Sequence, residues 1–205
     1  MAYVGQTRSR KLIAQLTERG HGEMTQPWEY PPRRTPWALD NGAFADWKNR
    51  RPFNAGRFVR VALTAASSDS RPDFLVVPDI VAGGLDSLRL SLAWADVLEP
   101  LGLPLALVVQ DGMQPGDIAP HLGRFSHVFV GGSLKWKIAT GAQWVRHAHV
   151  HGLRCHLGRV GTRRRVMWAK RIGADSIDSC LPLWSADNLA TFELGLNHPQ
   201  LDLFT

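Results

Sequence analysis

The chain has only two cysteines in 205 residues, Cys155 and Cys180. Two thiols are too few for a disulfide framework or a four-cysteine zinc site, which excludes a stapled secreted module and a zinc-knit domain. Each cysteine falls in an apolar, strand-like run and reads as a buried thiol in a reducing cytoplasm. No run approaches the roughly 20 apolar residues that a membrane-spanning helix needs, so no membrane partner is expected. The opening residues, MAYVGQTRSRK, lack the apolar stretch of a secretory signal. Neither an internal repeat nor a low-complexity tract stands out.

Apolar residues make up 44% of the chain and charged residues 20%, an ordinary balance for a globular protein. A chain of this length buries a sizeable core without staples, and no linker divides it, so residues 1–205 read as one domain. Lysine and arginine number 24 against 18 acidic residues, a net charge of +6. That balance permits a nucleic-acid partner without demanding one.

From Trp37 onward, short apolar runs alternate with amphipathic ones. WALD, FLVVPDI, LALVVQ, HVFVGG, RCHLGRV and DSIDSC have the character of strands. Helix-like segments such as NAGRFVRVALTAAS, LDSLRLSLAWADVLEPL and WKIATGAQWVRHAHVHG lie between them. Continuous apolar strands separated by helices predict parallel strands buried on both faces. AYVG, the helical TRSRKLIAQLTERG and a weak strand near GEMTQ bring the total to about eight β/α units. The expectation is an α/β fold, a compact (β/α)8 TIM-like barrel without a zinc subdomain, with an open doubly wound sheet as the alternative. The proline-rich QPWEYPPRRTPW, residues 26–37, cannot form a regular helix and reads as a long functional loop.

In parallel β/α folds, chemistry gathers at the carboxyl ends of the strands. Here those ends are polar: Asp40, Asp79, Gln110, Gly131 with Gly132, Gly158 with Arg159, and Asp178. A single aspartate after a strand commonly caps a helix or makes a turn. Six such ends in sequence point instead to one mouth, where three carboxylates need a substrate, a proton or a cation for relief. No spacing defines a metal cage. His147, His149 and His151 alternate at i, i+2, which scatters them around a helix rather than aiming them at zinc. Neither a metal nor a cofactor is therefore expected.

Taken in order, these motifs resemble the tRNA-guanine transglycosylase superfamily, including its DNA-directed, phage-type branch that installs 7-deazaguanines. D-N-G-A-F at Asp40 to Phe44 is similar to the family's D-S-G-G-F. Pro78–Asp79 falls where the family has its base-recognising aspartate. V-Q-D-G at Val109 to Gly112 resembles V-Q-G-G, and V-G-G-S-L at Val130 to Leu134 resembles G-G-L. The run from Leu157 to Cys180, ending D-S-I-D-S-C, resembles G-V-G…G-V-D-M-F-D-C. The likeness covers residues 37–180.

The resemblance implies that Asp178 is the nucleophile on the anomeric carbon and that Asp40 is the general acid/base. It implies that Asp79 accepts from the guanine N–H groups. Gln110 and the Gly132 N–H would donate to the carbonyl side of the purine, with Gly131 and Phe44 beside them. The chemistry is coherent, because base exchange by two displacements needs a carboxylate nucleophile and a proton shuttle. The family's C-x-C-x2-C…H zinc site has no counterpart, and no appended RNA-binding domain fits. The expectation is therefore guanine exchange in DNA for a free 7-deazaguanine base, such as 7-cyano-7-deazaguanine. Two alternatives stand beside it: the same reaction on tRNA, and a non-catalytic nucleic-acid-binding barrel. Homo-oligomer formation is left open.

Arg163, Arg164 and Arg165 follow a strand end and read either as a phosphate-binding rim or as a solvated helix start. Trp47, Trp136 and Trp184 lie just past strand ends, where they could stack on a base or simply pack.

Overall fold

Five consecutive apolar residues, Leu105–Val109, are all buried, as a strand covered on both faces requires. In the computed structural model, which describes residues 1–199, this strand is β5 of eight. The others are β1 (Ala2–Gly5), β2 (Gly22–Thr25), β3 (Trp37–Leu39), β4 (Leu75–Val76), β6 (His127–Val130), β7 (Arg154–Leu157) and β8 (Ser176–Ser179). All pair in parallel and in chain order, and β8 closes the ring on β1, with Ala2 opposite Ile177 and Tyr3 opposite Asp178. The expected closed (β/α)8 barrel is the fold, and the open sheet is excluded.

Among the described residues eight α-helices cover the ring: α1 (Arg10–Glu18), α2 (Ala43–Lys48), α3 (Ala55–Ala66), α4 (Gly84–Leu98), α5 (Pro115–Ile118), α6 (Leu134–Val150), α7 (Arg163–Arg171) and α8 (Ala186–Leu196). Side-chain oxygens start several of them. Ser133 accepts from Trp136 N at the head of α6, and Asn54 accepts from Arg57 N at the head of α3.

Two apolar shells result. Outward residues such as Leu39, Leu107 and Ile177 pack against Phe58, Trp144 and Phe192 of the helices. Burying each large side chain contributes roughly 1.5–3 kcal/mol. Inward residues Tyr3, Met24, Ala38, Phe74, Val76, Ala106 and Val108 fill the barrel with Phe129. The interior also holds polar groups. His127 lies 4.5 Å from Phe74, His156 stacks on Phe129 at 4.5 Å, and the Tyr3 hydroxyl donates to Asp73 at 2.6 Å.

The β/α repeat is uneven. No helix joins β2 to β3; residues 26–36 cross there as the predicted loop. From within it Arg34, only 3% exposed, reaches inward, donates to the Val4 and Gly5 carbonyls and faces Glu23 Oε2 at 3.3 Å. This buried ion pair occupies the place of a covering helix. Such a pair adds little net stability, yet removing one partner strands the other charge at a cost of about 3–5 kcal/mol.

The sequence reading also needs local corrections. Asp178 lies within β8, not at its end, and Asp79 sits three residues beyond the short β4. Cys155 is buried as expected, but Cys180 is exposed, because β8 stops at Ser179 and the chain turns outward. Of the two readings for Trp136, packing holds: it lies against the core beside Trp144. His149 pairs with Asp175 at 2.8 Å, while His147 meets His151 edge-on. Among the described residues no helix is long and apolar enough to cross a membrane.

Candidate active site at the barrel mouth

Because all strands run in parallel, the groups following β3 to β7 open onto the same end of the ring. Strand alternation sends Ile177 into the outer shell and Asp178 inward, where it meets the β7 side chain His156. The mouth thus gathers Asp40, Asp79, Gln110, Gly131, Gly132 and Asp178, as the strand ends predicted.

Asp40 accepts from Gln26 Nε2 at 2.5 Å and from the Gly42 N–H at 3.3 Å. Its surroundings are protein although the residue is only partly buried. Burial, reinforced by the negative charges of Asp178 and Asp79, pushes its carboxyl up to about 6, against the two hydrogen bonds. The group is therefore able to hold or release a proton near neutrality. Gly42 shapes this turn: its φ is +83°, and a Cβ there would lie 2.7 Å from the Trp28 ring.

Asp79 is clamped by two amides. Asn41 Nδ2 donates to Oδ1 at 2.7 Å, and Gln110 Nε2 donates to Oδ2. Burial raises its carboxyl, while these bonds and the Arg159 charge oppose the shift. Asn41 is fixed in turn, donating to Val77 O and accepting from Ala43 N. Gln110 Oε1 accepts from Ala82 N at 3.2 Å. Each Asp79 oxygen keeps a second acceptor site for a ligand's N–H group.

Gly131 N–H donates to Val109 O, whereas the Gly132 N–H has no partner among the described residues. Gly132 has φ +68°, and a Cβ there would come within 2.5 Å of Asp111 Oδ2. The Gly132 carbonyl accepts from the Arg159 guanidinium, which lies 4.2 Å from the centre of the Phe44 ring. Phe44 is thus part of the mouth, held by a cation above its face.

Asp178 Oδ1 accepts from the Arg159 N–H at 3.1 Å and from His156 Nε2 at 3.0 Å. His156 is buried, which lowers its basicity against the opposing pull of Asp178, and its Nδ1 meets Ser176 Oγ at 2.8 Å.

Arg163, Arg164 and Arg165 form the first turn of α7, directly after the β7 end of the mouth, and make no ion pair among the described residues. Trp28, Phe44, Trp47 and Trp184 expose their rings in segments that leave the same end of the barrel. A cleft of about 640 Å³ lies at this end too, between the loop after β1 and the β2–β3 loop, lined by Gln6, Arg8, Trp28, Glu29 and Tyr30 among others.

Sequence reasoning did not assign Asn41, Gln26, His156, Ser176 or Lys137. For Ser176 a signal existed, since S-I-D-S alternates polar and apolar residues along β8. Lys137, in contrast, sits in a segment that reads as an ordinary helix. No protein-family model matches the chain, and no curated protein matches it.

Proposed function

We propose that the protein is a base-exchange transglycosylase that replaces guanine in DNA with a free 7-deazaguanine base through a covalent Asp178 intermediate. The observation that carries this reading is the pair of carboxylates with unlike surroundings in one mouth. Asp40 is pushed up to about 6, and Asp178 is held by two donors. Unlike environments separate the roles of two nearby acids.

In the first displacement a carboxylate oxygen of Asp178 bonds to the anomeric carbon as the glycosidic bond breaks, and Asp40 gives its proton to the departing guanine. In the second, Asp40 takes a proton from the incoming base, whose nitrogen displaces Asp178. Asp79 accepts from the purine N–H groups, and the unpartnered Gly132 N–H donates to its carbonyl. The exposed aromatic rings and the arginine turn of α7 suit a strand whose target base has left the stack.

The test is incorporation of labelled guanine or 7-cyano-7-deazaguanine into DNA and tRNA, followed by mass analysis of released nucleosides. Label in DNA supports the reading. Label in tRNA alone moves the reaction to that substrate. Binding of either nucleic acid without label reduces the protein to a non-catalytic barrel.

A further inference from the structure

Lys137 is 2% exposed, although it belongs to a surface helix, α6. Its ammonium makes no ion pair among the described residues; its hydrogen bond goes to the Gly158 carbonyl. That carbonyl and the Arg159 N–H belong to one peptide unit, and the Arg159 N–H donates to Asp178 Oδ1 at 3.1 Å. A buried cation without a counter-ion is costly, and a methionine would fill the same space without that cost.

We propose that Lys137 is a positioning residue for Asp178 and acts through the Gly158–Arg159 peptide. A positive charge on the carbonyl oxygen polarises the amide and strengthens its N–H as a donor to the carboxylate on the other side. The ammonium also fixes where that donor points. Arg159 has φ +58°, a conformation that a non-glycine residue keeps only when its surroundings hold it. The peptide packs tightly as well: a Cβ on Gly158 would lie 2.7 Å from the Phe129 ring and 3.4 Å from Asp178 Oδ1.

The charged groups bearing on Lys137 are Arg159 and Arg165, which disfavour its charge, and Asp178 and Asp111, which favour it. His156, bonded to Asp178, feels the Lys137 charge in turn. Burial dominates and pushes the ammonium down to about 7. The relay is therefore charged in acid, about half charged near neutrality, and fades above it. Its catalytic consequence rests on Asp178 being the nucleophile; the relay itself does not.

The experiment follows the Arg159 amide proton by NMR across neutral pH, alongside the Lys137 Nζ resonance. In the wild-type protein both move with one midpoint. In Lys137→Met the amide step disappears and the proton stays near its wild-type high-pH position throughout. An amide step that survives in Lys137→Met overturns the relay, as does a wild-type Lys137 titration that leaves Arg159 unmoved. In a denaturing-gel assay with DNA, Lys137→Met forms the covalent adduct about tenfold more slowly with unchanged KM. An unchanged adduct rate overturns the catalytic half of the proposal. If the wild type forms no adduct with any nucleic acid, the transglycosylase reading falls, and the NMR measurement still decides the relay.

Discussion

His156 Nε2 stands 3.0 Å from Asp178 Oδ1, while its Nδ1 stands 2.8 Å from Ser176 Oγ. With Nε2 as the donor to the carboxylate, the imidazole Nδ1 is left to accept from the serine hydroxyl. The three side chains come from neighbouring strands and point into the barrel. A buried ring donor and the Arg159 N–H thus orient the same carboxylate oxygen.

Asp178→Asn keeps the side-chain size and removes the proposed nucleophile. It abolishes both exchange and the trapped protein–DNA adduct, while base binding through Asp79 and the Gly132 N–H persists. Asp40→Asn slows turnover by about 10²–10⁴-fold, the usual loss for a general acid/base. Denaturing gels with each variant check this. An adduct formed by Asp178→Asn but not by Asp40→Asn reverses the two roles.

Asp40 also costs stability. Its folded carboxyl binds a proton more tightly than an exposed aspartate at 3.8, so stability falls as pH rises from there to about 6. The full cost remains at higher pH. Discounted for partial exposure, it amounts to about 2 kcal/mol. Asp40→Asn is more stable than the wild type by about that amount near neutrality and converges with it in acid. Urea unfolding at both pH values measures the difference. Equal stability throughout would show that Asp40 carries no such cost.

His127 acts in the opposite direction. Burial holds its imidazole down to about 4, whereas an unfolded histidine takes up its proton near 6.5. Its contribution is fully present above 6.5 and lost as pH falls towards about 4, a loss of about 3 kcal/mol. His127→Gln flattens the acid limb of a stability–pH curve, read as denaturation midpoints. An acid limb as steep as the wild type's would place the proton uptake elsewhere.

Replacing Arg163, Arg164 and Arg165 together by glutamine weakens nucleic-acid binding and lowers the salt slope of log K by about 2 to 3. Binding titrations at several salt concentrations give that slope. If it does not change, the three arginines are only the solvated start of α7.

The strands and their common mouth were legible because doubly covered strands are apolar throughout and then end abruptly in polar residues. Asp40, Gln110 and the Gly131–Gly132 pair were found by that change alone. The barrel's own contents were less legible. RCHL and HVFV read as apolar strands, yet His156 and His127 face inward, where aromatic rings and neighbouring hydroxyls satisfy them. The burial of Lys137 depends on which helix face meets β7, and its segment does not reveal that. Asn41 reads as a turn residue, and only the fold brings it to Asp79. Cys180 was misplaced because the strand stops one residue before it.

The β1–β8 seam joins the strands farthest apart in the chain. Every other strand pair joins consecutive strands and can form as its own segment collapses, whereas Ala2 meets Ile177 only across nearly the whole described chain. Closing so long a loop costs entropy before any contact rewards it, so the seam is the slow, late contact. Asp178 lies on one side of that seam, and Asp40 lies two strands beyond the other. A partly folded chain carries two open strand edges, which invite mispairing. It also lacks a mouth in which the two carboxylates meet, so the candidate site is assembled only with ring closure.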